Sequence, residues 1–206
     1  MKREEKNALS RQRILNAALE EFSQKGYEGA SLSTVCAEKG LSKGIVYHYF
    51  KDKDEIYLLC VRTCFDQAAD WLQGEMERCF GPPEERLRHY FDARLRFFAN
   101  HPVCQGIFAG AALNPPAHLN RQIADCRGRF DALNIAVLTA LLSSKPLRAG
   151  LSVSAIVEDF RLYMDFFHSR FRLDCNQSKP AEQVLREYEE RCRRQLDVLL
   201  YGVLGE

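Results

Sequence analysis

Apolar residues recur at three- and four-residue spacings along most of this 206-residue chain, and alternating β-type patterns are scarce. This periodicity predicts a protein built from helices. A first helix buries a face that includes Ile14 and Phe22, and it ends at Gly26, because glycine readily leaves the helical conformation. A short apolar segment is expected at 103–113. Further helices are expected at 52–80, 84–100, 117–142, 152–173 and 180–203.

Residues 31–50 have the pattern of two short helices joined by a tight turn. Ser31 and Ser42 are placed to cap these helices, and Gly40 is placed to adopt the left-handed conformation that a tight turn needs. Val46 should then point back to the first of the two helices. This arrangement leaves an outward surface made of Lys43, Gly44, Tyr47 and His48.

Charge adds to this picture only through its distribution, because the net charge of the whole chain is +1. Residues 1–19 hold five basic and two acidic side chains, and residues 39–53 hold four lysines and one aspartate. Such runs are often only solvated faces, and two packed helices with surface lysines would explain them. Two positive clusters that flank one compact motif also indicate contact with phosphates.

The sequence around this motif carries a family resemblance. The stretch "RQRILNAALEEFSQKGYEGASLSTVCAEKGLSKGIVYHYFKDKDEI", residues 11–56, closely resembles the N-terminal DNA-binding domain of TetR-family transcriptional repressors. It departs from the family at Cys36, where alanine is usual, and at Ala30, where threonine is common. The resemblance implies an all-α protein of about nine helices. A three-helix DNA-binding domain with a helix–turn–helix would occupy 1–51, and a larger helical ligand-binding and dimerisation domain would occupy 52–206.

The resemblance and the helical period together assign roles to the aromatic residues. Tyr47 should contact a phosphate, Tyr49 should lie on the DNA-facing side, and Phe50 should turn inward. His48 is left with two interpretations, a contact to a base edge or a place on the surface, and Lys53 should grip a phosphate. The full set expected at double-stranded operator DNA is Ser31, Ser42, Lys43, Gly44, Tyr47, His48, Tyr49 and Lys53.

The two C-terminal helices are expected to form the contact between two subunits of a homodimer. The resemblance implies this role, and the last helix has a continuous apolar stripe from Val184 to Val203. Two recognition helices ~34–36 Å apart would match a palindromic operator. The alternative is that these stripes belong to the core of one chain. The expected interface residues are Phe160, Tyr188, Cys192, Leu196 and Leu199.

A pocket for a small effector is expected between the long helix at 52–80 and the helices at 84–142. Its aromatic candidates suggest a largely apolar effector, although each of them could equally be a core residue. His101 and His118 are candidate polar anchors, and the helix at 52–80 is the candidate coupling element between effector and DNA. The candidate lining residues are Trp71, Phe97, Phe98, Phe108, Phe130, Tyr163 and Phe167.

Composition excludes several other classes of protein. No apolar run approaches the ~18–20 residues that cross a bilayer, and the charged N-terminus indicates a cytoplasmic protein without a secretory signal. The eight cysteines should therefore be reduced packing residues. No motif indicates an enzyme, a metal or a cofactor. The function expected is a ligand-responsive transcriptional repressor, and the alternative is a dimeric helical ligand-binding or adaptor protein without a role at DNA.

Overall fold

The computed structural model describes residues 3–38, 40, 43–174 and 181–203. In these ranges the chain forms nine α-helices, which confirms the predicted all-α class. A π-helical turn at Ala109–Leu113 and a 3₁₀ turn at Ala117–Leu119 lie between the sixth and seventh helices. The helices are α1 Arg3–Gly29, α2 Leu32–Glu38, α3 Lys43–Tyr49, α4 Lys53–Glu77, α5 Pro83–Asn100, α6 Pro102–Phe108, α7 Asn120–Ser143, α8 Val153–Asp174 and α9 Ala181–Val203.

The first helix runs beyond its expected end. Gly26 has φ 64° and ψ −177°, so it leaves the helical conformation as the sequence predicts, but the chain resumes a helical course as far as Gly29. The structure therefore has a kink where the sequence predicts a stop. The apolar segment expected at 103–113 is also helical, and it is divided between α6 and the π-helical turn.

The chain folds as two compact units, each made of two segments. Unit 1 comprises residues 1–65 and 101–127, and unit 2 comprises residues 66–100 and 128–206. Two helices, α4 and α7, have residues in both units. The predicted division after residue 51 is based on function rather than on packing, and it stays a prediction.

In unit 1, α6 lies directly on α1. A Cβ atom added to Gly106 would lie 2.2 Å from Ser23 Oγ and 2.4 Å from the Ser23 carbonyl oxygen. Glycine is therefore the residue that allows this approach. Beside this contact, the ring of Tyr57 packs edge-on against Phe22 and Tyr27, with ring centroids 5.0 Å apart in both pairs.

The core of unit 2 combines an apolar cluster with a buried ion pair. Leu138, Ile156 and Leu196 join α7, α8 and α9 in that cluster. Arg94 of α5 and Glu189 of α9 form the ion pair, in which Arg94 Nε donates to Glu189 Oε2 over 3.1 Å.

The amide oxygen of Asn134 links α7 to the same buried network. It accepts hydrogen bonds from Arg94 Nη1 at 3.1 Å and from the Tyr90 hydroxyl at 2.6 Å. α5 and α9 are also joined at the surface, where Arg193 Nη2 lies 2.6 Å from Asp92 Oδ1. The same two helices therefore carry one buried and one exposed ion pair.

Within the described ranges, no helix has both the length and the apolar character needed to cross a membrane. The same part of the chain contains no cluster of three or more His, Cys, Asp or Glu side chains that could hold a metal ion.

Candidate nucleic-acid interface

The beginning of α2 is fixed by Ser31 and by a buried carboxylate from α1. Ser31 Oγ accepts a hydrogen bond from the backbone N–H of Ser33 over 3.2 Å, which confirms its capping role. The backbone N–H of Ser31 donates to Glu21 Oε1 over 3.0 Å. Burial raises the pKa of Glu21, but hydrogen bonds from Lys25 and Ser31 outweigh it, so the pKa lies below its usual value. A charged carboxylate therefore holds α1 against the start of the motif.

The turn between α2 and α3 has the predicted conformation at Gly40, whose φ is 62°. A residue with a side chain would be strained there. Ser42, the predicted cap of α3, lies outside the described residues. Lys43 begins α3, and its side chain is not among those described.

α3 has one buried and one exposed face. Val46, and Phe50 directly after the helix, are at most 1% exposed, and they anchor α3 to the rest of unit 1. The predicted outward residues Gly44, Tyr47 and His48 are exposed, and 56% of the surface of Tyr47 is open to solvent. The helix thus presents a phenol and an imidazole, which can hydrogen-bond to phosphate oxygens or base edges.

Ile45 is also exposed, at 40%, and it was not among the predicted residues. An apolar side chain between the outward Gly44 and Tyr47 could contact a thymine methyl group. Its position next to Gly44, a predicted outward residue, was the available signal in the sequence.

Tyr49 contacts both α1 and its neighbour His48. Its hydroxyl donates to Asn7 Oδ1 of α1 over 3.1 Å, and its ring lies edge-on to that of His48, with centroids 5.0 Å apart. Arg11 lies with its guanidinium carbon 5.3 Å from the centroid of the Phe50 ring. Asn7 and Arg11 therefore bring the first half of α1 to the end of α3.

Lys53 opens α4 and lies over an aromatic ring. Its Nζ is 4.5 Å from the centroid of Tyr27, a cation–π distance. The start of α4 is fixed by two further hydrogen bonds, from the Glu55 N–H to Asp52 Oδ1 at 2.9 Å and from the Lys51 N–H to Glu55 Oε2 at 2.7 Å. Lys53 is therefore held by unit 1 itself, and its predicted phosphate contact would have to compete with Tyr27 or be shared with it.

Behind Lys53 lies a polar cluster that sequence reasoning missed. The Tyr27 hydroxyl donates to Asp54 Oδ1, and His118 Nε2 lies 3.2 Å from Asp54 Oδ2. The hydrogen bond from Tyr27 lowers the pKa of Asp54, and it does so against the effect of burial. Burial and the Asp54 carboxylate raise the pKa of Tyr27. His118, predicted as a pocket anchor, instead joins the segment before α7 to α1 and α4.

The candidate pocket residues belong to different units. Phe108 lies in unit 1, where its ring centroid is 5.5 Å from that of Phe65. The other six lie in unit 2. Trp71 is 36% exposed, and its ring lies 6.2 Å from that of Phe97. The four remaining residues, Phe98, Phe130, Tyr163 and Phe167, are buried or half-buried.

The predicted dimer residues on α9 need a correction. Tyr188, Cys192 and Leu196 are only 3–5% exposed within a single chain, so they have almost no surface to give to a second subunit. Phe160 and Leu199 are partly buried against the Leu138–Leu196 cluster. The stripe is buried because α9 packs against α7 and α8 of its own chain.

Comparisons with known proteins find a family match in the N-terminal part of the chain. Residues 14–60 match the family described as "Bacterial regulatory proteins, tetR family". These residues are therefore similar to the N-terminal part of TetR-family regulators. The matched residues span the part of the chain from Ile14 in α1 to Cys60 in α4, which includes every candidate DNA-binding residue.

Two curated relatives match part of this chain. HTH-type transcriptional regulator HbdR from Aromatoleum sp. is 33% identical over 79 residues, which are 38% of this chain and 34% of that protein. The biofilm operon icaADBC negative transcriptional regulator IcaR from Staphylococcus epidermidis is 33% identical over 60 residues, 29% of this chain and 32% of that protein. The chain thus spans about a third of the length of these two relatives.

A solved structure resembles this chain over most of its length. Transcriptional regulator FadR from Bacillus subtilis, in complex with stearoyl-CoA, has a TM-score of 0.62 and 17% identity, and the match covers 87% of this chain and 95% of FadR. At this identity the likeness shows the fold.

Proposed function

We propose that this chain is a transcriptional repressor that binds a palindromic operator as a homodimer and leaves it when a small, largely apolar effector binds. The observation that carries the proposal is the two-faced α3. Val46 in the helix and Phe50 directly after it are buried, while Tyr47 and His48 are exposed. A helix held in this way can enter the major groove with its outward side chains free to read it. The match of residues 14–60 to the TetR family supports this role.

Two similar proteins support the repressor role and the apolar nature of the effector. IcaR is a negative regulator, and FadR binds stearoyl-CoA, which has a long apolar chain. The buried aromatic rings of unit 2, with Phe97 and Phe98 at 2% exposure, would suit an apolar ligand. The effector must bind the DNA-free form more tightly than the DNA-bound form. α4 is the proposed coupling element, because its residues belong to both units.

The proposed dimer contact uses the outward residues of α8 and α9. Leu162 and Phe166 are 61% and 68% exposed on α8, and Val198 and Tyr201 are 62% and 84% exposed on α9. Large apolar side chains that are exposed on neighbouring helices indicate a protein contact. A second copy of the chain is the proposed occupant, since a palindromic operator needs two reading helices.

The DNA proposal is tested by selecting genomic fragments that the full-length protein binds and by measuring affinity for the selected site as salt is varied. We expect specific binding, and log K should fall with log salt with a slope of several units, because phosphate contacts release counterions. The Lys53→Ala variant should weaken binding to all sequences about equally. Equal affinity for a scrambled duplex, or no dependence on salt, would overturn the proposal and favour the ligand-binding or adaptor alternative.

The dimer proposal is tested by analytical ultracentrifugation of the Phe166→Asp and Val198→Asp variants. We expect folded monomers that no longer bind the operator, because a charge is not tolerated in an apolar contact. Phe80→Asp is the matched control, since Phe80 is 89% exposed and lies outside α8 and α9. A wild-type monomer, or variants that stay dimeric, would contradict the proposed contact.

The effector proposal is tested through Trp71, the single tryptophan of the chain. A ligand that acts through α4 should change Trp71 fluorescence and weaken operator binding over the same concentration range. Operator DNA should weaken ligand binding by the same factor. A ligand that binds tightly and leaves DNA affinity unchanged would contradict this coupling.

A further inference from the structure

His118 lies in the short 3₁₀ turn Ala117–Leu119 that precedes α7. The turn is anchored by Leu119, which is 2% exposed and whose backbone N–H donates to the Pro116 carbonyl oxygen over 2.9 Å. The His118 side chain, in contrast, is 55% exposed. The backbone of this turn is therefore fixed by the core of unit 1, while the imidazole lies at its surface.

The imidazole of His118 contacts a carboxylate and a phenol at the same time. Its Nε2 lies 3.3 Å and 3.2 Å from the two carboxylate oxygens of Asp54 and 3.4 Å from the Tyr27 hydroxyl oxygen. The rings of Tyr27 and His118 meet at 64°, with centroids 5.6 Å apart. An ionised carboxylate only accepts hydrogen bonds, so Nε2 must carry the proton in this contact.

The ring of Tyr27 is also the surface on which Lys53 rests. Lys53 Nζ lies 4.5 Å from the centroid of that ring, and the hydroxyl at the end of the same ring donates to Asp54. His118 therefore supports Tyr27 at its polar end, and Tyr27 in turn restricts the ammonium group of Lys53. A lysine loses rotamer freedom when it grips a phosphate, so a lysine that is already restricted binds with a smaller entropy loss.

We propose that His118 is a positioning residue for operator binding, which acts through Asp54 and Tyr27 to hold Lys53 where it reaches a DNA phosphate. This inference rests on the proposed DNA-binding function. It adds a residue that lies outside the family match at 14–60 and that belongs to a distant segment of the chain. His118 needs no contact with DNA in this role.

The first test is a double-mutant cycle on the affinity of the full-length protein for the selected operator. His118→Ala should weaken binding about three- to tenfold, as expected for residues in one network. Its salt slope should fall towards that of Lys53→Ala, which lacks one phosphate contact and should lose about 0.9 units of slope. In the Lys53→Ala background, His118→Ala should have no further effect, because it acts only through that lysine.

Two other substitutions at His118 test whether the Nε2 contact is responsible. Glutamine places an amide N–H near the position of Nε2, so His118→Gln should keep the wild-type affinity. Asparagine is one bond shorter, so His118→Asn should resemble His118→Ala. Thermal unfolding checks that each variant is folded, which we expect because His118 is exposed.

Arg129→Ala is the matched control for His118→Ala. Arg129 lies in α7, is 53% exposed, and forms a 2.7 Å ion pair with Asp70 of α4. It therefore has the same exposure as His118 and also joins an acidic residue of α4, but it lies in unit 2. Its removal should leave operator affinity and salt slope unchanged.

The positioning step is also measured without DNA, by acetylating the protein with an N-hydroxysuccinimide ester and following each lysine by mass spectrometry. The acetylation rate of Lys53 should rise about twofold in His118→Ala, which is the size of an exposed cation–π contact. It should stay at the wild-type rate in His118→Gln. The exposed Lys51 is the internal reference, and its rate should be the same in all variants.

Three results would overturn the proposal: additive effects of His118→Ala and Lys53→Ala on affinity, an unchanged salt slope in His118→Ala, or a Lys53 acetylation rate that does not respond to His118→Ala. A wild-type protein that binds no duplex specifically would instead show that the proposed function is wrong. The acetylation rates distinguish the two failures, because they report the position of Lys53 in the protein alone.

Discussion

α3 and α9 are two helices whose sequences indicated contact with another molecule, and the residues singled out on them lie in opposite environments. α3 is seven residues long and leaves Tyr47 and His48 outside, whereas α9 buries Tyr188, Cys192 and Leu196 within its own chain. An apolar stripe shows that a helix face is buried, but it does not show which chain buries it. A short helix with two anchors and polar or aromatic outward residues gives a clearer signal, because such residues are not needed for packing.

The largest expected effect concerns the buried ion pair of α9. Glu189→Ala leaves the Arg94 guanidinium in the interior without its carboxylate, which should cost about 3–5 kcal/mol of unfolding free energy. Asp92→Ala is the matched control, because it breaks an exposed pair between the same helices and should cost less than about 1 kcal/mol. Urea unfolding followed by circular dichroism measures both. Similar losses for the two variants would contradict the difference in burial.

A second pair of substitutions compares an apolar side chain on each helix. Leu196→Ala should cost about 2–5 kcal/mol, because it leaves a cavity in the cluster of α7, α8 and α9. Ile45→Ala on α3 should cost less than about 1 kcal/mol, because 40% of Ile45 is already exposed. Thermal unfolding of both variants gives the comparison. A larger loss at Ile45 would mean that α3 is held by its outward face.

The third prediction separates two tyrosines of α3 by operator affinity. Tyr47→Phe should weaken operator binding about tenfold, or about 1.4 kcal/mol, through loss of one hydrogen bond to a phosphate. Tyr49→Phe should have a smaller effect, because the Tyr49 hydroxyl already donates to Asn7. Fluorescence anisotropy with a labelled duplex measures both. If Tyr49→Phe weakens binding more, the DNA-facing side of α3 has been assigned to the wrong residues.

The smallest expected effect is the pH dependence of the stability that the cluster of Tyr27, Asp54 and His118 provides. Its hydrogen bond from Tyr27 lowers the pKa of Asp54 below the ordinary value of 3.8. The stabilisation is therefore present above about pH 4 and is lost as the pH falls through the lowered pKa. The Asp54 side chain is 37% exposed, so we expect less than about 1 kcal/mol. Asp54→Asn should lower the melting temperature at pH 7 and have little effect near pH 3; equal effects at both would contradict the assignment.

The sequence was sufficient where structure depends on neighbouring residues. Apart from the end of α1, the approximate helix positions, the capping role of Ser31 and the left-handed Gly40 follow from short-range rules, and the structure agrees with them. The sequence was insufficient where the contact that fixes a residue's position comes from a distant segment of the chain. Nothing in the sequence near Tyr27 or His118 shows that both residues meet Asp54.

Gly106 has a consequence for exchanging parts between related proteins. Its backbone lies so close to Ser23 that any added carbon would collide with the backbone of α1. A chimera that replaces residues 1–51 with the corresponding segment of a relative would place a foreign α1 against this glycine. It would fold well only if the donor has a small residue at the position of Ser23. The DNA-binding segment should therefore be exchanged together with α6, although 50 or more residues separate them along the chain.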